Sequence, residues 1–283
     1  LMVIGAARHD SRRIDRQLRG RCARQGDPGS TLFFISLEDD LMRLFGSDRL
    51  TGILERLGLD EGEELQSPML TRTIEKAQKR VENNNFSMRK RTLEYDDVMN
   101  KQRGLIYGRR FEILNSEKPT DSLLDILRNT VEDRLLSVEV KEGQTVRFEK
   151  ELFIDWASKT FPITFDWDQF DFSGTVSYNT LAEQIYKAVE EKYLEKVKLE
   201  DDEMATAFLE QHIMLTAIDK LWKEHLHAMD HLRQGVQFSG IAQKDPLIEY
   251  KTQAYTMFNE LIDNVAEEVV SNIFRSFTSI MAM

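Results

Sequence analysis

Between residues 8 and 24 the chain carries seven arginines and two aspartates, although it is acidic as a whole. The densest part runs Gln17-Leu18-Arg19-Gly20-Arg21-Cys22-Ala23-Arg24-Gln25-Gly26-Asp27-Pro28-Gly29. Arg21 and Arg24 are three apart, so a helical turn would give them one face. A guanidinium offers a planar fork of donors that matches phosphate oxygens, and its charge cannot be titrated away. Two such forks converging on a terminal phosphate would offset the charge that builds during phosphoryl transfer, the arginine-finger role. Gln17 could contact the nucleotide or relay its state, and Gly20 and Gly26 allow close backbone approach. The same residues fit a plainer description, a basic surface helix pairing with Asp10, Asp15 and Asp27. Spacing by itself does not separate the two.

The other half of a nucleotide site is missing from these 283 residues. No Gly-Lys dipeptide occurs, which excludes a G-x-x-x-x-G-K-[ST] phosphate loop. No Walker-B carboxylate stands out after an apolar strand. Other reactive residues are less suggestive. Cys22 lacks the arginine six positions on that a C-x5-R phosphatase loop needs, and reads as a packed thiol. His225, His227 and His231 cluster near one helix end, with His227 and His231 at i, i+4. They lack an H-E-x-x-H pattern and a nearby cysteine, so no metal is expected there. Asp96-Asp97 and Asp201-Asp202-Glu203 read as solvated charges or caps.

The elements that must position the arginines follow from the apolar pattern. Leu1 to Ala7 reads as a buried strand running into a small-residue loop, an unusual start that suggests a piece of a longer protein. A short polar helix opens at Asp10 or Ser11, Gly26 to Gly29 forms a turn, and Leu32 to Leu37 is a second apolar strand. Glu38-Asp39-Asp40 suits a helix N-terminus. From Pro68 to Pro119 there is no proline. Ile74, Val81, Met88 and Tyr95 recur every seven residues there, with Leu70, Ala77, Val98 and Leu105 between them, which predicts one helix over 69–114. That helix is basic: 72–110 holds 11 Lys/Arg against 5 Asp/Glu. Asp121 caps a further helix to about Val138. The aromatics Trp156, Phe161, Phe165, Trp167, Phe170 and Phe172 then indicate a small irregular core. A helix follows from about Asn179 to Lys198. Residues 203–280 read as an antiparallel helical pair, with Phe208, Leu215, Trp222, Met229 and Val236 at sevens and Leu247 to Ile273 at threes and fours. Its connecting loop, Gln234 to Pro246, is long enough to serve a function.

Composition bounds the rest. The net charge is −11, with 41% hydrophobic and 31% charged residues, so a core is affordable and general nucleic-acid binding is disfavoured. One cysteine rules out a disulfide framework or a cysteine-cluster zinc site. No apolar run nears the roughly 18 residues that would cross a bilayer.

Several stretches together resemble the C-terminal part of the SecA family, the ATPase motors of bacterial preprotein translocation. They are RHDSRRIDRQLRGRCARQGDPGS (8–30), SLEDDLMRLFGSDR (36–49), AQKRVENNNFSMRKRTLEYDDVMNKQR (77–103), LWKEHLHAMDHLRQG (221–235) and AQKDPLIEYK (242–251). The first also resembles motif VI of superfamily 2 helicases, Q-x-x-G-R-x-x-R; the later stretches are foreign to ordinary helicases. The resemblance implies a mainly α fold: a long scaffold helix, an antiparallel two-helix finger and a small helical wing, preceded by the remnant of a RecA-like α/β domain. It implies bounds of 1–65 for that remnant, 66–115 for the long helix, 116–205 for the wing and 206–283 for the finger. By the same resemblance Arg21 and Arg24 are the arginine fingers, and Gln17, Arg19 and Gly20 bind nucleotide or couple its state. Ile241 is then the fingertip that meets substrate polypeptide. The implied cofactor is ATP with Mg in the intact protein, without zinc. The implied partners are a SecY-type channel, unfolded preprotein, an anionic membrane surface and, in the intact protein, a second copy, but not nucleic acid. The implied location is the cytoplasmic face of the inner membrane. This chain departs from the family pattern where G-T-E-R-H reads Gly5-Ala6-Ala7-Arg8-His9 and where the fingertip, often Tyr, is Ile241. The rival expectations are a superfamily 2 RNA helicase piece and a non-enzymatic helical scaffold.

Overall fold

The computed structural model describes residues 1–36, 39, 41, 68–142, 145–200, 202–236 and 245–278. The fold is mainly α, and it divides into two compact units, Leu1–Glu94 and Tyr95–Met283. No helix among the described residues is long and apolar enough to cross a membrane.

In the first unit, strand β1 (Met2–Gly5) pairs in parallel with β2 (Ser30–Phe33), Met2 opposite Ser30 and Gly5 opposite Phe33. Parallel neighbours need a crossover, and helix α1 (Arg12–Arg19) supplies it. The second strand starts two residues before the apolar run and ends inside it. The short partner sets that length: the Phe34 amide donates to the Gly5 carbonyl at 2.8 Å, and β1 ends there. Helix α2 (Pro68–Leu114) is unbroken over 47 residues, about 70 Å at 1.5 Å each. Pro68 stands at its start, where the missing N–H costs nothing. In this unit Ile74, Ala77 and Val81 of α2 bury against Leu41, with Ile35 beside them. The predicted seam fades beyond that point, with Met88 60% and Leu105 64% exposed. An α-helix turns every 3.6 residues, so a strict seven-residue repeat drifts round its surface.

Among the described residues the second unit contains the rest of α2 and five more α-helices: α3 (Pro119–Ser137), α4 (Lys150–Thr160), α5 (Tyr178–Glu200), α6 (Glu203–Gly235) and α7 (Pro246–Arg275). Lys118, not Asp121, is the N-cap of α3; Pro119 takes the first position and Asp121 lies in the first turn. An antiparallel hairpin unforeseen in the sequence, β3 (Glu139–Glu142) with β4 (Thr145–Phe148), follows α3. The Phe148 amide donates to the Phe172 carbonyl at 3.0 Å. Gly174, at φ +87°, lies so close to the Val146 carbonyl that a Cβ would sit 1.6 Å from its oxygen. The aromatic run forms a core, as its composition indicated. Phe153 has ring neighbours Trp156 at 5.4 Å, Trp167 at 5.7 Å and Phe172 at 5.7 Å. Phe161 meets Phe274 of α7 edge-on at 5.3 Å.

The helical pair is α6 and α7, capped by Asp202 and Asp245, whose side chains accept from the amides of Ala205 and Leu247. Trp222, Met229 and Val236 are buried as the seven-residue pattern predicts, but Phe208 is 63% exposed. Leu209, Ile213 and Met214 take its place in the core, where the first half of α6 meets α3 and α5 as well as α7. Two buried polar groups fix this packing. Glu210 accepts from the hydroxyls of Thr120 and Tyr193. Gln102 of α2 donates to the Ala254 carbonyl at 3.0 Å, and its oxygen lies 3.0 Å from Nε2 of His225. With the Gln102 amide committed as donor, Nε2 of His225 must carry the ring proton.

Burial lowers the pKa of His225. Below about pH 6.5 the unfolded chain therefore takes up a proton there more readily than the folded one, and stability falls as pH falls. Urea unfolding of the second unit should show this decline between pH 7 and 5.5, and His225→Gln should remove that share of it. Equal pH dependence in parent and variant would refute the assignment.

Candidate functional site: an exposed arginine loop beside a buried carboxylate

The arginine cluster begins on α1. Ser11, extended at φ −121°, is its N-cap, and the Ser11 carbonyl accepts from the amides of Ile14 and Asp15. Arg16 and Arg19 occupy the last turn, where positive charge suits the helix dipole. Gly20 ends the helix. The Arg21 and Cys22 amides then make tight turns back to the carbonyls of Leu18 and Arg19. Ala23 and Gln25 both adopt φ 54°, a left-handed conformation unfavourable for residues with a Cβ. Arg21 and Arg24 therefore do not share a helical face; a left-handed residue separates them. They stand on a loop, which aims them by turn geometry instead.

That loop is held from behind. Cys22 is buried and its thiol donates to the Arg19 carbonyl at 3.1 Å, as a packed thiol would. Gly29 lies against it: a Cβ there would be 2.6 Å from the Ala23 nitrogen and 2.9 Å from the Cys22 Cβ. Outward, Gln17, Arg19, Gly20, Arg21 and Arg24 are all exposed. Arg24 Nε reaches the Gly20 carbonyl at 3.4 Å. The Arg19 guanidinium stands 4.9 Å, and that of Arg8 5.2 Å, from the centre of the Phe33 ring. Among the described residues neither Arg21 nor Arg24 has a carboxylate partner, which leaves both forks available to an anion.

Beside the exposed loop is a buried network that sequence reasoning missed. The Asp15 carboxylate is 2% exposed and the Gln78 side chain of α2 is fully buried. Oδ2 of Asp15 accepts from Arg8 Nε and Gln78 Nε2, each at 2.6 Å. Oδ1 accepts from the His9 amide at 3.1 Å and lies 2.9 Å from His9 Nδ1. Gln78 also donates to the His9 carbonyl at 2.8 Å and accepts from Arg8 Nη2 at 2.9 Å. Burial pushes the Asp15 pKa up, but the hydrogen bonds from Gln78, His9 and Arg8 outweigh it and hold the carboxyl below its ordinary value. Arg12 forms a second link, its Nη2 2.7 Å from Oε2 of Glu82 and its backbone amide 2.6 Å from Oε1. The helix-wide pairing with Asp10, Asp15 and Asp27 thus reduces to Arg8 with Asp15, while Arg12 turns to α2. One sign of Gln78 was present in the sequence: it lies four residues after Ile74 on the apolar stripe, where a polar side chain needs a buried partner.

The remaining candidates lie elsewhere. His227 and His231 are exposed on α6, and His225 is committed to Gln102. No group of three potential metal ligands gathers among the described residues. Ile241 lies outside the described residues.

Residues 1–62 match the family model of the SecA P-loop domain, and residues 64–276 that of the SecA Wing and Scaffold domain. The chain is 42% identical over 278 residues to "Protein translocase subunit SecA" of Heliobacterium modesticaldum, covering 97% of this chain and 32% of that protein. To the protein of the same name from Chlorobaculum tepidum it is 42% identical over 280 residues, covering 98% and 26%. The Leptospira biflexa protein is 43% identical over 276 residues, covering 97% and 30%. The chain thus spans between a quarter and a third of the length of these relatives.

Because Gly29 leaves no room for a Cβ, Gly29→Ala should force the Cys22-Ala23 turn to move. An overpacking cost of about 1–3 kcal/mol is expected. It would be read as a lower urea midpoint for the first unit at unchanged slope; an unchanged midpoint would contradict the contact.

Proposed function

The chain belongs to the SecA family, and from that premise we propose that it is the lever-bearing portion of an ATP-driven motor that pushes unfolded preproteins through a SecY-type channel. The observation that carries this reading is the pair of guanidiniums, Arg21 and Arg24, exposed on one loop and without a carboxylate partner among the described residues. Their chemistry fits the terminal phosphate of a nucleotide, whose binding cradle is absent from this sequence. In the full-length protein ATP, with Mg, supplies the phosphoryl group whose transfer releases free energy. Arg21 and Arg24 neutralise charge on that group. Gln17, Arg19 and Gly20 shape the loop edge that meets the nucleotide and report its state.

The proposed division of labour follows the chain. Residues 1–65 complete a RecA-like nucleotide domain, 66–115 form the scaffold helix, 116–205 the wing and 206–283 the two-helix finger. An unbroken α2 supports the lever role, because a helix satisfies its own backbone hydrogen bonds and displaces as one element. The finger loop around Ile241 presses on the substrate polypeptide with an apolar side chain; without a phenol it offers no hydrogen bond there. The motor works at the cytoplasmic face of the inner membrane, drawn to its anionic lipids.

Arg24→Ala in the full-length protein should lower ATP turnover by roughly 10³-fold, the scale of a lost arginine finger. The 283-residue chain by itself should hydrolyse no ATP. Undiminished turnover in the variant would instead make the arginine cluster, and this portion of the protein, a structural scaffold, and tight, salt-sensitive RNA binding would support a helicase.

A further inference from the structure

Helix α1 has eight residues, too few to hold its shape without tertiary support. Its apolar side chains do not anchor it: Ile14 is 41% exposed and Leu18 only half-buried. The one buried residue of α1 is Asp15. The helix that carries Gln17 and Arg19 and leads into Arg21 and Arg24 is therefore seated by a carboxylate, not by a hydrophobic stripe.

Two polar links join this region to α2, and they differ in kind. The Arg12–Glu82 pair is open to water, with side chains 38% and 24% exposed. Such pairs contribute little and are screened by salt. The Asp15–Gln78 link is closed to water and has no spare capacity. Asp15 faces donors on every side: Arg8 Nε, the His9 amide, His9 Nδ1 and Gln78 Nε2. Gln78 in turn spends both amide hydrogens on Asp15 and the His9 carbonyl, and its oxygen on Arg8. A shift of α1 along α2 would strand several of these groups without water, so the register of the two helices is fixed at this point.

We propose that Asp15, acting through Gln78, is the positioning residue of the arginine loop: it pins α1 to the long helix, so that force on Arg21 and Arg24 reaches α2 at Gln78. The inference rests on the reading of Arg21 and Arg24 as phosphate-sensing groups. Asp15 itself touches no nucleotide. Its effect is on the geometry in which the guanidiniums meet the transferred group, so it governs turnover more than nucleotide affinity.

The decisive substitution is Asp15→Asn, which keeps the shape and turns one acceptor into a donor facing donors. In the full-length protein its kcat for ATP, per folded molecule, should fall at least tenfold while KM stays within twofold. In the 283-residue chain, amide hydrogen exchange over 12–19 should quicken at least tenfold, with 95–114 unchanged. Glu82→Gln, which breaks the open link, should alter each quantity less than twofold. Gln78→Met, similar in length but without donors, should reproduce Asp15→Asn. Normal turnover and normal α1 exchange in Asp15→Asn would overturn the proposal. So would failure of both Asp15→Asn and Gln78→Met to fold, which would make the pair a folding pin and nothing more. If Arg24→Ala leaves turnover intact, the phosphate-sensing reading falls first; if Arg24→Ala abolishes turnover and Asp15→Asn does not, only the positioning role falls.

Discussion

A carboxylate that is 2% exposed cannot remain ionised without several good donors, because its removal from water costs several kcal/mol. Asp15 meets that demand with groups from two segments outside its own helix: Arg8 and His9 in the chain leaving β1, and Gln78 of α2. This requirement organises the first unit. Arg8 and His9 must fold back over α1, Gln78 must face inward from the long helix, and α1 must lie where all of them converge. Among the described residues the apolar contribution here is a small cluster of Leu41, Ile74, Ala77 and Val81 with Ile35 beside it. Burying hydrophobes gives adhesion without direction. The directional hydrogen bonds of Asp15 and Gln78 are what select one arrangement among those the hydrophobic contacts would tolerate.

The second unit uses the same device on a larger core. Its helices carry long apolar stripes that could pack in more than one register, since side chains such as Leu209, Ile213 and Met214 are similar in size and follow each other closely on α6. Glu210 and Gln102 remove that ambiguity. Burial raises the pKa of Glu210, and the hydroxyls of Tyr193 and Thr120 offset part of that cost. Slippage of α6 against α3 or α5 would leave the carboxyl without donors in an apolar setting. Gln102 does the same between α2, α6 and α7, with its amide on a backbone carbonyl and its oxygen on an imidazole. Buried polar groups of this sort add little net stability but discriminate strongly between alternatives.

What could be read from the sequence follows from these physics. The long helix, the α6 and α7 helices and the aromatic core were legible because each rests on repeated burial, a signal spread over many residues. Strict heptads overstated their seams, since Phe208, Met88 and Leu105 keep the seven-residue spacing but have rotated to the surface. The β3–β4 hairpin was invisible because four-residue strands offer little alternation, and its place is set by distant partners, Phe172 and Gly174. The arginine cluster was legible as composition, but its geometry was not. Three-residue spacing suggests a helical face only if the helix continues, and the left-handed Ala23 and Gln25 are not positions where Gly or Asn announces such a turn. Asp15 and Gln78 were hidden for a different reason. A buried ion is indistinguishable from a surface one until its donor Gln78, 63 residues further along the chain, is seen beside it.

The contrast between the two kinds of charge in the first unit bears directly on function. A protein that needed these arginines only for solubility would gain nothing by building a strained loop around them. Left-handed conformations at two non-glycine residues cost on the order of 1 kcal/mol each, and the loop tolerates them while keeping Cys22 and Gly29 in close contact behind. Meanwhile the neighbouring arginines, Arg8 and Arg12, are matched with carboxylates at 2.6 and 2.7 Å. Pairing was available in this region and was used where it fixes structure. Among the described residues Arg21 and Arg24 have no such pairing; their loop is held by backbone turns and a buried thiol. Guanidiniums without a carboxylate partner among the described residues, on a loop held by turns, suit an anionic partner, because no ion pair seen there has to break before it arrives.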